Sequence, residues 1–364
     1  MSKTKPHPSA RDALSRRRLL RAGMSVAAAL PFGFAATTGR AWGPGPGTPF
    51  DPGPLCAPAA AEAATGPLRP IKLAWNATAI CTAAAPVAKE RGIFAQHGLD
   101  VEFVNFGGST EALLEAIATG KADAGIGMAL RWLKPLEQGF DVKITAGLHG
   151  GCLRLLGAKS AGITDIASLK GKTIAISDHA SPAKNFFGLL LADAGIDPER
   201  EVEWRQYPAD LLNLAVEKGE VQALADADPR TWIWLKDPRL TEVATNLTGI
   251  YATRSCCVVA VRGSLVRNDR AVAGALTRAV LEGGHCVQTD PADAAAIFAN
   301  YGGKGSVEDL AAMLRSQTHQ HRPVGADLKQ EIALYGDELK RVNVLRRTTD
   351  TAKFAERVFA DVLS

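Results

Sequence analysis

The sequence predicts an α/β protein of two lobes that hold a ligand cleft between them. From residue 71 onward, short apolar segments with strand character alternate with helical segments, which is typical of parallel sheets covered by helices. A second series of the same kind repeats the pattern 99 residues later along the chain. The chain has 364 residues, which is enough to build two cores.

The first 41 residues are predicted to be a removed export signal. Residues 1–40 hold eight Lys and Arg against Asp12 alone, and Arg16-Arg17 belongs to a twin-arginine pattern that precedes a weakly apolar run. A disordered basic tail is the alternative. Residues 42–70, rich in Pro, Gly and Ala, are predicted to be a linker. Because the net charge of +4 comes from the leader, the charge balance gives no reason to expect nucleic acid.

The first series of elements begins at Ile71. Its apolar runs have the length of strands, and each is followed by a longer segment with helical periodicity. The predicted strands are 71–77, 100–106, 122–128 and 142–149, and the predicted helices are 87–96, 109–119 and one that ends at Gly139.

The second series has the same order, and a helix-rich part without an obvious strand follows it. The predicted strands are 172–177, 201–207, 221–227 and 255–261, and the predicted helices are 182–194, 209–218 and several over 268–364.

The two series are related by an internal echo. Residues 112–128 and 211–227 align at a constant offset, and each reads as a helix, a glycine and a strand. Glycine directly after a helix is ordinary C-cap chemistry. The echo favours two related lobes, joined by crossing segments near 150–165 and 245–260. The predicted division is lobe 1 over 71–155 and 258–364, and lobe 2 over 156–257.

The candidate ligand-binding residues lie where strands end, because ligands of open α/β sheets bind beyond the carboxyl ends of the strands. They are Trp75, Asn76, Thr78, Gly107, Gly108, Ser109, Thr110, Met128, His149, Cys152, Asp178, His179, Asp226, Asp228 and Arg254.

One part of this set suits an anion. Gly107 and Gly108 let the backbone approach a ligand closely, and Ser109 or Thr110 can cap the following helix, whose free N–H groups accept a sulfonate, carboxylate or nitrate. The alternative is that the hydroxyl group only caps the helix. The Gly-Lys-Ser/Thr ending of nucleotide phosphate loops is missing.

Another part suits hydrogen-bond donors. Asp178, Asp226 and Asp228 offer three carboxylates to an ammonium, an amidine or a ring N–H, with His149 and His179 as bridging groups. The alternative is helix capping, since Asp178 and Asp228 each precede a predicted helix.

The six cysteines leave a metal site open as an alternative. Disulfides are permitted in an oxidising compartment, but their connectivity cannot be read from sequence. His149, Cys152, His179, Cys256 and Cys257 would suit zinc or copper, yet no pair has the spacing of a short metal-binding loop. Successive strand residues face opposite ways, so we do not expect Cys256 and Cys257 to point into one site. Core packing of these cysteines is the preferred interpretation.

Several segments resemble a known family. They are VAKERGIFAQHGLDVEF (87–103), FGGSTEALLEAIATGKADAGIGM (106–128), ITDIASLKGKTIAIS (163–177), LLADAGIDPEREVEW (190–204) and VEKGEVQALADADP (216–229). With the leader and linker, they resemble the periplasmic solute-binding proteins of ABC importers, in particular the nitrate/sulfonate/taurine-binding family and its thiamine-pyrimidine-binding relatives. The resemblance covers roughly residues 70–300 and implies a periplasmic binding protein fold of type II, with a hinge and no catalysis.

The resemblance implies an exported solute receptor in the periplasm. It would bind a small polar, anionic or zwitterionic organic solute by hinge closure and deliver it to an ABC permease in the inner membrane. We expect a monomer that is not an enzyme, with no catalytic residue, no cofactor and no metal. The segments 147–152 and 254–257 are richer in His and Cys than those of sulfonate binders. A thiamine-pyrimidine-precursor binder or related enzyme, and a His/Cys metal-linked binding protein, are the alternatives.

Overall fold

The computed structural model describes Cys56, residues 66–106 and residues 110–364. The chain divides into two units, Met1–Phe50 and Asp51–Ser364, and the first lies outside the described residues. The predicted export signal therefore falls outside them, as do most of the predicted linker and residues 107–109 of the predicted anion site. No helix within the described ranges is long and apolar enough to cross a membrane.

Ten strands form two five-stranded sheets. The first sheet has the order β2-β1-β3-β10-β4 and the second has the order β7-β6-β8-β5-β9. The strands are β1 (Arg69–Trp75), β2 (Leu99–Asn105), β3 (Ala124–Met128), β4 (Val142–His149), β5 (Leu153–Ala158), β6 (Thr173–Ile176), β7 (Glu203–Gln206), β8 (Ala223–Ala227), β9 (Leu240–Thr245) and β10 (Cys257–Arg262).

Helices cover the sheets, and the last third of the chain is helical as predicted. They are α1 (Ala84–Glu90), α2 (Ile93–Gln96), α3 (Thr110–Ala118), α4 (Ala129–Glu137), α5 (Pro182–Asp193), α6 (Leu212–Glu217), α7 (Arg230–Trp234), α8 (Gly263–Asn268), α9 (Arg270–Thr289), α10 (Pro291–Asn300), α11 (Val307–Ser316), α12 (Gly325–Arg341) and α13 (Thr351–Val358).

The internal echo corresponds to a repeated sheet. In each sheet three strands are parallel, and a fourth strand pairs antiparallel both with the central strand and with the edge strand. The strands β3 and β8, which carry the echo, take the same central place in the two orders. β3 is buried along its whole length, as expected for a strand covered on both faces.

Two strands were not predicted. β5 begins only three residues after β4 ends, so its apolar run was read as part of the crossing segment. β9 has a half-buried, mixed pattern that gives no clear period. The predicted helix 87–96 divides into α1 and α2, because Gly92 has a positive φ of 69° that interrupts the helix.

The long helix α9 packs closely against α1 and is linked to a residue upstream of the first strand. A Cβ on Gly283 would lie 2.3 Å from the carbonyl oxygen of Ala84, so only glycine allows α9 to pack this closely on α1. Cys286 of α9 forms a disulfide with Cys56, which lies upstream of the first strand.

Candidate functional site

A cavity of about 90 Å³ lies where the carboxyl ends of strands from both sheets meet. One water needs ~10–15 Å³ on this measure, so the cavity has room for a small solute. Its walls come from the segments after β1, β3 and β6 and from β8 with the residues that follow it. Its polar and charged lining residues are Asn76, Thr78, Cys81, Thr82, Arg131, Ser177, Asp178, Ser181, Asp226, Asp228 and Arg230.

An ion pair crosses the cavity from one sheet to the other. Arg131, in the first turn of the α4 helix that follows β3, donates from Nη1 to Oδ1 of Asp178 at 2.6 Å. Asp178 follows β6 of the second sheet and also accepts from the backbone N–H of Ala180 at 2.7 Å. Ser181 caps α5, so the alternative that Asp178 is the helix cap is wrong.

A second ion pair lies on the wall built by the second sheet. Arg230 donates to both carboxylate oxygens of Asp226, at 2.6 and 3.1 Å. Burial lowers the pKa of Arg230, but the charge of Asp226 and the hydrogen bonds to it outweigh burial, so the pKa of Arg230 is raised.

Asp228 is the most deeply buried of the three carboxylates. It accepts from Arg154 Nε at 3.0 Å and from the hydroxyl of Thr231 at 2.7 Å. It does not act as a simple N-cap, because α7 begins after Pro229 without a side-chain cap. Glu242 contacts Arg154 on the other side.

The cavity therefore holds both signs of charge in near balance. Two lining guanidinium groups, Arg131 and Arg230, face three lining carboxylates, and Arg154 behind the wall offsets the third. A site with both signs of charge suits a solute with a cationic and an anionic end better than a simple anion.

A polar loop lies at one edge of the cavity. Asn76 Oδ1 accepts from the backbone N–H and the hydroxyl of Thr78, at 2.9 and 2.8 Å, which fixes that loop.

Six of the predicted ligand residues lie on this cavity: Asn76, Thr78, Met128, Asp178, Asp226 and Asp228. Gly107, Gly108 and Ser109 lie outside the described residues, and Thr110 begins α3.

Three further predicted residues point elsewhere. Trp75 packs against Phe103 and Tyr301, with ring centroids 5.1 and 5.8 Å away. His179 is exposed in a turn outside the cavity. Arg254 is paired with Glu338.

The sequence reading missed the two arginines of the lining. Arg131 follows the end of β3 by three residues and Arg230 follows the end of β8 by three, so both occupy equivalent places in the repeated sheets. The 99-residue offset relates the two positions, and applying it to the strand ends would have found them.

The two remaining predicted residues, His149 and Cys152, belong to a buried group of five side chains beside the cavity. This thiol cluster consists of Cys81, His149, Cys152, Cys256 and Cys257. The Sγ atoms of Cys81 and Cys257 and a ring nitrogen of His149 lie within 4.8 Å of one another, and the Sγ atoms of Cys152 and Cys256 lie 3.5 Å apart.

Cys256 Sγ lies 3.5 Å from Cys152 Sγ, and Cys257 Sγ lies within 4.8 Å of Cys81 Sγ and of a ring nitrogen of His149. Both thiols thus belong to one cluster, and the expectation that they face apart is wrong. Cys256 precedes the strand and Cys257 is its first residue. The pairing of β10 with β4 also shifts register between Cys257 and Val258. Regular alternation therefore does not apply at this end of the strand.

Hydrogen bonding divides the thiols into two kinds. A hydrogen bond from Cys152 lowers the pKa of Cys81, and another lowers that of Cys256, in both cases well below the ordinary range. The hydrogen bond to Cys256 raises the pKa of Cys152 well above it. Burial lowers the pKa of His149, but its hydrogen bond to Cys81 and the charge there outweigh burial, so this pKa is raised. Cys81 and Cys256 are thus the more acidic thiols of the cluster.

The two repeated sheets and the cavity at their strand ends define the two-lobed fold of periplasmic binding proteins. The nitrate-binding protein NrtA from Synechocystis PCC 6803 has a TM-score of 0.68 at 16% identity, over 81% of this chain and 87% of that chain. The aliphatic sulphonate binding protein SsuA from Escherichia coli has a TM-score of 0.66 at 15% identity, over 80% and 92%.

The alkanesulfonate-binding protein SsuA from Xanthomonas axonopodis pv. citri, bound to MOPS, has a TM-score of 0.64 at 18% identity, over 79% of this chain and 98% of that chain. At these identities the similarity establishes the fold. No curated protein matches the chain by sequence.

The chain belongs to the family described as NMT1/THI5 like, whose model matches residues 82–294, more than half of the chain. Together with the structural neighbours, this match confirms the resemblance to the periplasmic binding proteins of ABC importers that the sequence predicted.

Proposed function

We propose that the protein is an exported solute receptor of an ABC importer that binds a small zwitterionic or anionic organic solute in the cavity. The observation that carries the proposal is the ring of paired charges at the strand ends, in particular Arg131 and Asp178 from different sheets. An amino-sulfonate such as taurine offers its sulfonate to the guanidinium groups and its ammonium to the carboxylates. MOPS, found with one structural neighbour, carries a ring amine and a sulfonate.

Binding is proposed to act through closure of the two lobes about their crossing segments. The anionic end of the solute accepts hydrogen bonds from the guanidinium groups of Arg131 and Arg230. Its ammonium end replaces a guanidinium group as the partner of Asp178 or Asp226. A solute that contacts both walls shifts the population toward the closed form, which the permease in the inner membrane then recognises. The lobes are 71–155 with 258–364, and 156–257.

The remaining expectations belong to the same proposal. The protein is exported by the twin-arginine route, acts in the periplasm as a monomer, and has no catalytic residue. Gly107, Gly108, Ser109 and Thr110 are proposed as further contacts for the anionic end of the solute.

Calorimetric titration of the purified protein tests the proposal. Taurine, ethanesulfonate, nitrate and a formyl-aminopyrimidine are titrated into the unaltered protein, into Arg131→Ala and into the control Arg267→Ala, whose ion pair with Asp141 lies on the surface. We expect binding of taurine or ethanesulfonate that Arg131→Ala weakens by about 10–100-fold and the control leaves unchanged. Binding of the pyrimidine alone, or of none of the four, overturns the proposed solute class.

A further inference from the structure

We propose that Cys81, His149, Cys152 and Cys257 form a binding site for a thiophilic metal cation, Zn(II) or Cu(I), between the two sheets. This goes beyond solute binding and departs from the sequence-based expectation of no metal. The residues come from three separate places: a turn after β1, the end of β4 with the crossing into β5, and the start of β10. Only His149 and Cys152 lie close together in the sequence, so spacing along the chain could not indicate the site by itself.

The distances fit one ion. Zn–S bonds of about 2.3 Å and Zn–N bonds of about 2.0 Å in a tetrahedral site place the donor atoms less than ~4 Å apart. Donor atoms of Cys81, His149 and Cys257 lie within 4.8 Å of one another without an ion. Cys152 lies in the same buried cluster, with its Sγ 3.5 Å from that of Cys256, and we infer that it turns to supply the fourth donor. Small side-chain rotations close the site.

The donor chemistry selects a soft cation. Thiolate and imidazole suit Zn(II) and Cu(I), whereas Mg²⁺ and Ca²⁺ prefer oxygen donors. All four side chains are buried, so an ion there must leave little net charge. Zn(II) with two thiolates and two neutral donors is uncharged, and Cu(I) needs one thiolate. The site thus accepts either ion without a further counter-ion.

The backbone already holds the donors in place. The ring of His149 is held between two carbonyl oxygens, that of Cys81 at 3.0 Å from Nε2 and that of Gly150 at 3.4 Å from Nδ1. A neutral ring that donates from Nε2 keeps its lone pair on Nδ1, and an ion bound there would displace the longer contact. The backbone N–H of Cys152 donates to Asn246 Oδ1 at 2.9 Å, and that of Cys256 donates to the carbonyl oxygen of His149 at 2.9 Å. Cys81 also lines the solute cavity, which gives an ion a path of entry.

Two other interpretations of the cluster make different predictions. Inert core cysteines would retain no metal. Disulfides are the other outcome, because thiols as close as those of Cys152 and Cys256 can oxidise in an oxidising compartment. Bound metal and a disulfide exclude each other at the same sulfurs.

The test uses the full chain, prepared without oxygen, in which Cys56→Ser and Cys286→Ser remove the two cysteines outside the cluster. Zn(II), Cu(I) and the spectroscopic probe Co(II) are titrated separately, and bound metal is measured after gel filtration. We expect one Zn(II) or Cu(I) per chain. In Cys81→Ser/Cys257→Ser the affinity falls by more than about 100-fold, whereas in the control His179→Gln, an exposed histidine, it is unchanged.

Three results overturn the proposal: no metal is retained, the double serine variant retains as much as the unaltered cluster, or freshly prepared protein has its cluster sulfurs in disulfides by intact mass. If the serine variant fails to fold, the Co(II) spectrum of the unaltered cluster decides. A thiolate-to-cobalt charge-transfer band supports the site, and its absence contradicts it. None of these results depends on solute binding, so the proposed metal site and the proposed solute receptor can be refuted independently of each other.

Discussion

Arg131 and Asp178 form an ion pair at 2.6 Å although they belong to different sheets, with Arg131 after β3 and Asp178 after β6. The guanidinium is buried, whereas the carboxylate is about two-fifths exposed at 42%. The two walls of the cavity thus attract each other. A solute with both charges can replace each partner.

Replacing Asp178 with Asn distinguishes the contributions that the anionic and cationic ends of the solute make to binding. It removes the negative charge beside Arg131, so ethanesulfonate is expected to bind about 10-fold tighter and taurine about 10-fold more weakly, because the ammonium of taurine loses a partner. Calorimetric titration of both solutes measures the ratio. The matched control is Asp141→Asn, whose pair with Arg267 is exposed. Equal changes for both solutes would contradict a two-ended site.

The pair Arg230–Asp226 is expected to supply the second anion contact. Arg230→Gln alone leaves a buried carboxylate unpaired and destabilises the fold, so the informative variant is Arg230→Gln with Asp226→Asn. We expect this double variant to keep its unfolding midpoint and to lose about 10-fold or more in affinity for a sulfonate. An unchanged affinity in a well-folded double variant would remove Arg230 from the site.

Gly127 in β3 is expected to be intolerant of alanine, because the new Cβ would lie 2.0 Å from Cζ2 of the buried Trp132. Gly127→Ala should lower the free energy of unfolding by about 1–3 kcal/mol. In the control Gly188→Ala, the Cβ meets its nearest neighbour at 3.7 Å inside helix α5, and stability should rise by about 0.5–1 kcal/mol. Urea denaturation compares the two, and equal effects would show that Trp132 moves freely.

Glu137 is expected to make stability depend on acid pH. Burial raises the pKa of its carboxyl, but hydrogen bonds from Lys134, Thr349 and the backbone N–H of Arg346 outweigh burial, and the pKa is lowered. The stabilisation is therefore complete above the ordinary glutamate pKa of about 4.3 and is lost as the pH falls through the lowered value.

Glu137→Gln should cost about 1 kcal/mol at pH 7, and the difference from the unaltered protein should narrow as the pH falls toward 3. Unfolding in urea at both pH values measures it. Glu356→Gln, which removes a partly exposed pair with Lys329, is the control with a small effect at either pH. A difference that persists at pH 3 would contradict the assignment.

The disulfide between Cys56 and Cys286 links residues 230 positions apart. Cys56→Ser with Cys286→Ser is expected to lower the free energy of unfolding by about 2–4 kcal/mol, because the unfolded chain gains freedom. Thermal unfolding of the two proteins measures the loss, and peptide mapping without reductant checks the pairing. Mapping that joins Cys56 to another cysteine would contradict it.

The sequence by itself determined the repeated α/β pattern. Eight of the ten strands follow from local apolar runs, and the offset between β3 and β8 predicted that the sheets are related. It also placed Asp178, Asp226 and Asp228 at one cavity, because the position of a strand end is a local property.

Only the tertiary structure decided which partners these residues take. Arg131 reaches Asp178 because the two sheets face each other, and the thiol cluster assembles from three distant segments. Such contacts depend on sheet order, on the short crossing from β4 to β5 and on the register shift at the start of β10, none of which leaves a period in the sequence. Local propensity fixes where elements form, whereas the packing of distant elements fixes the chemistry between them.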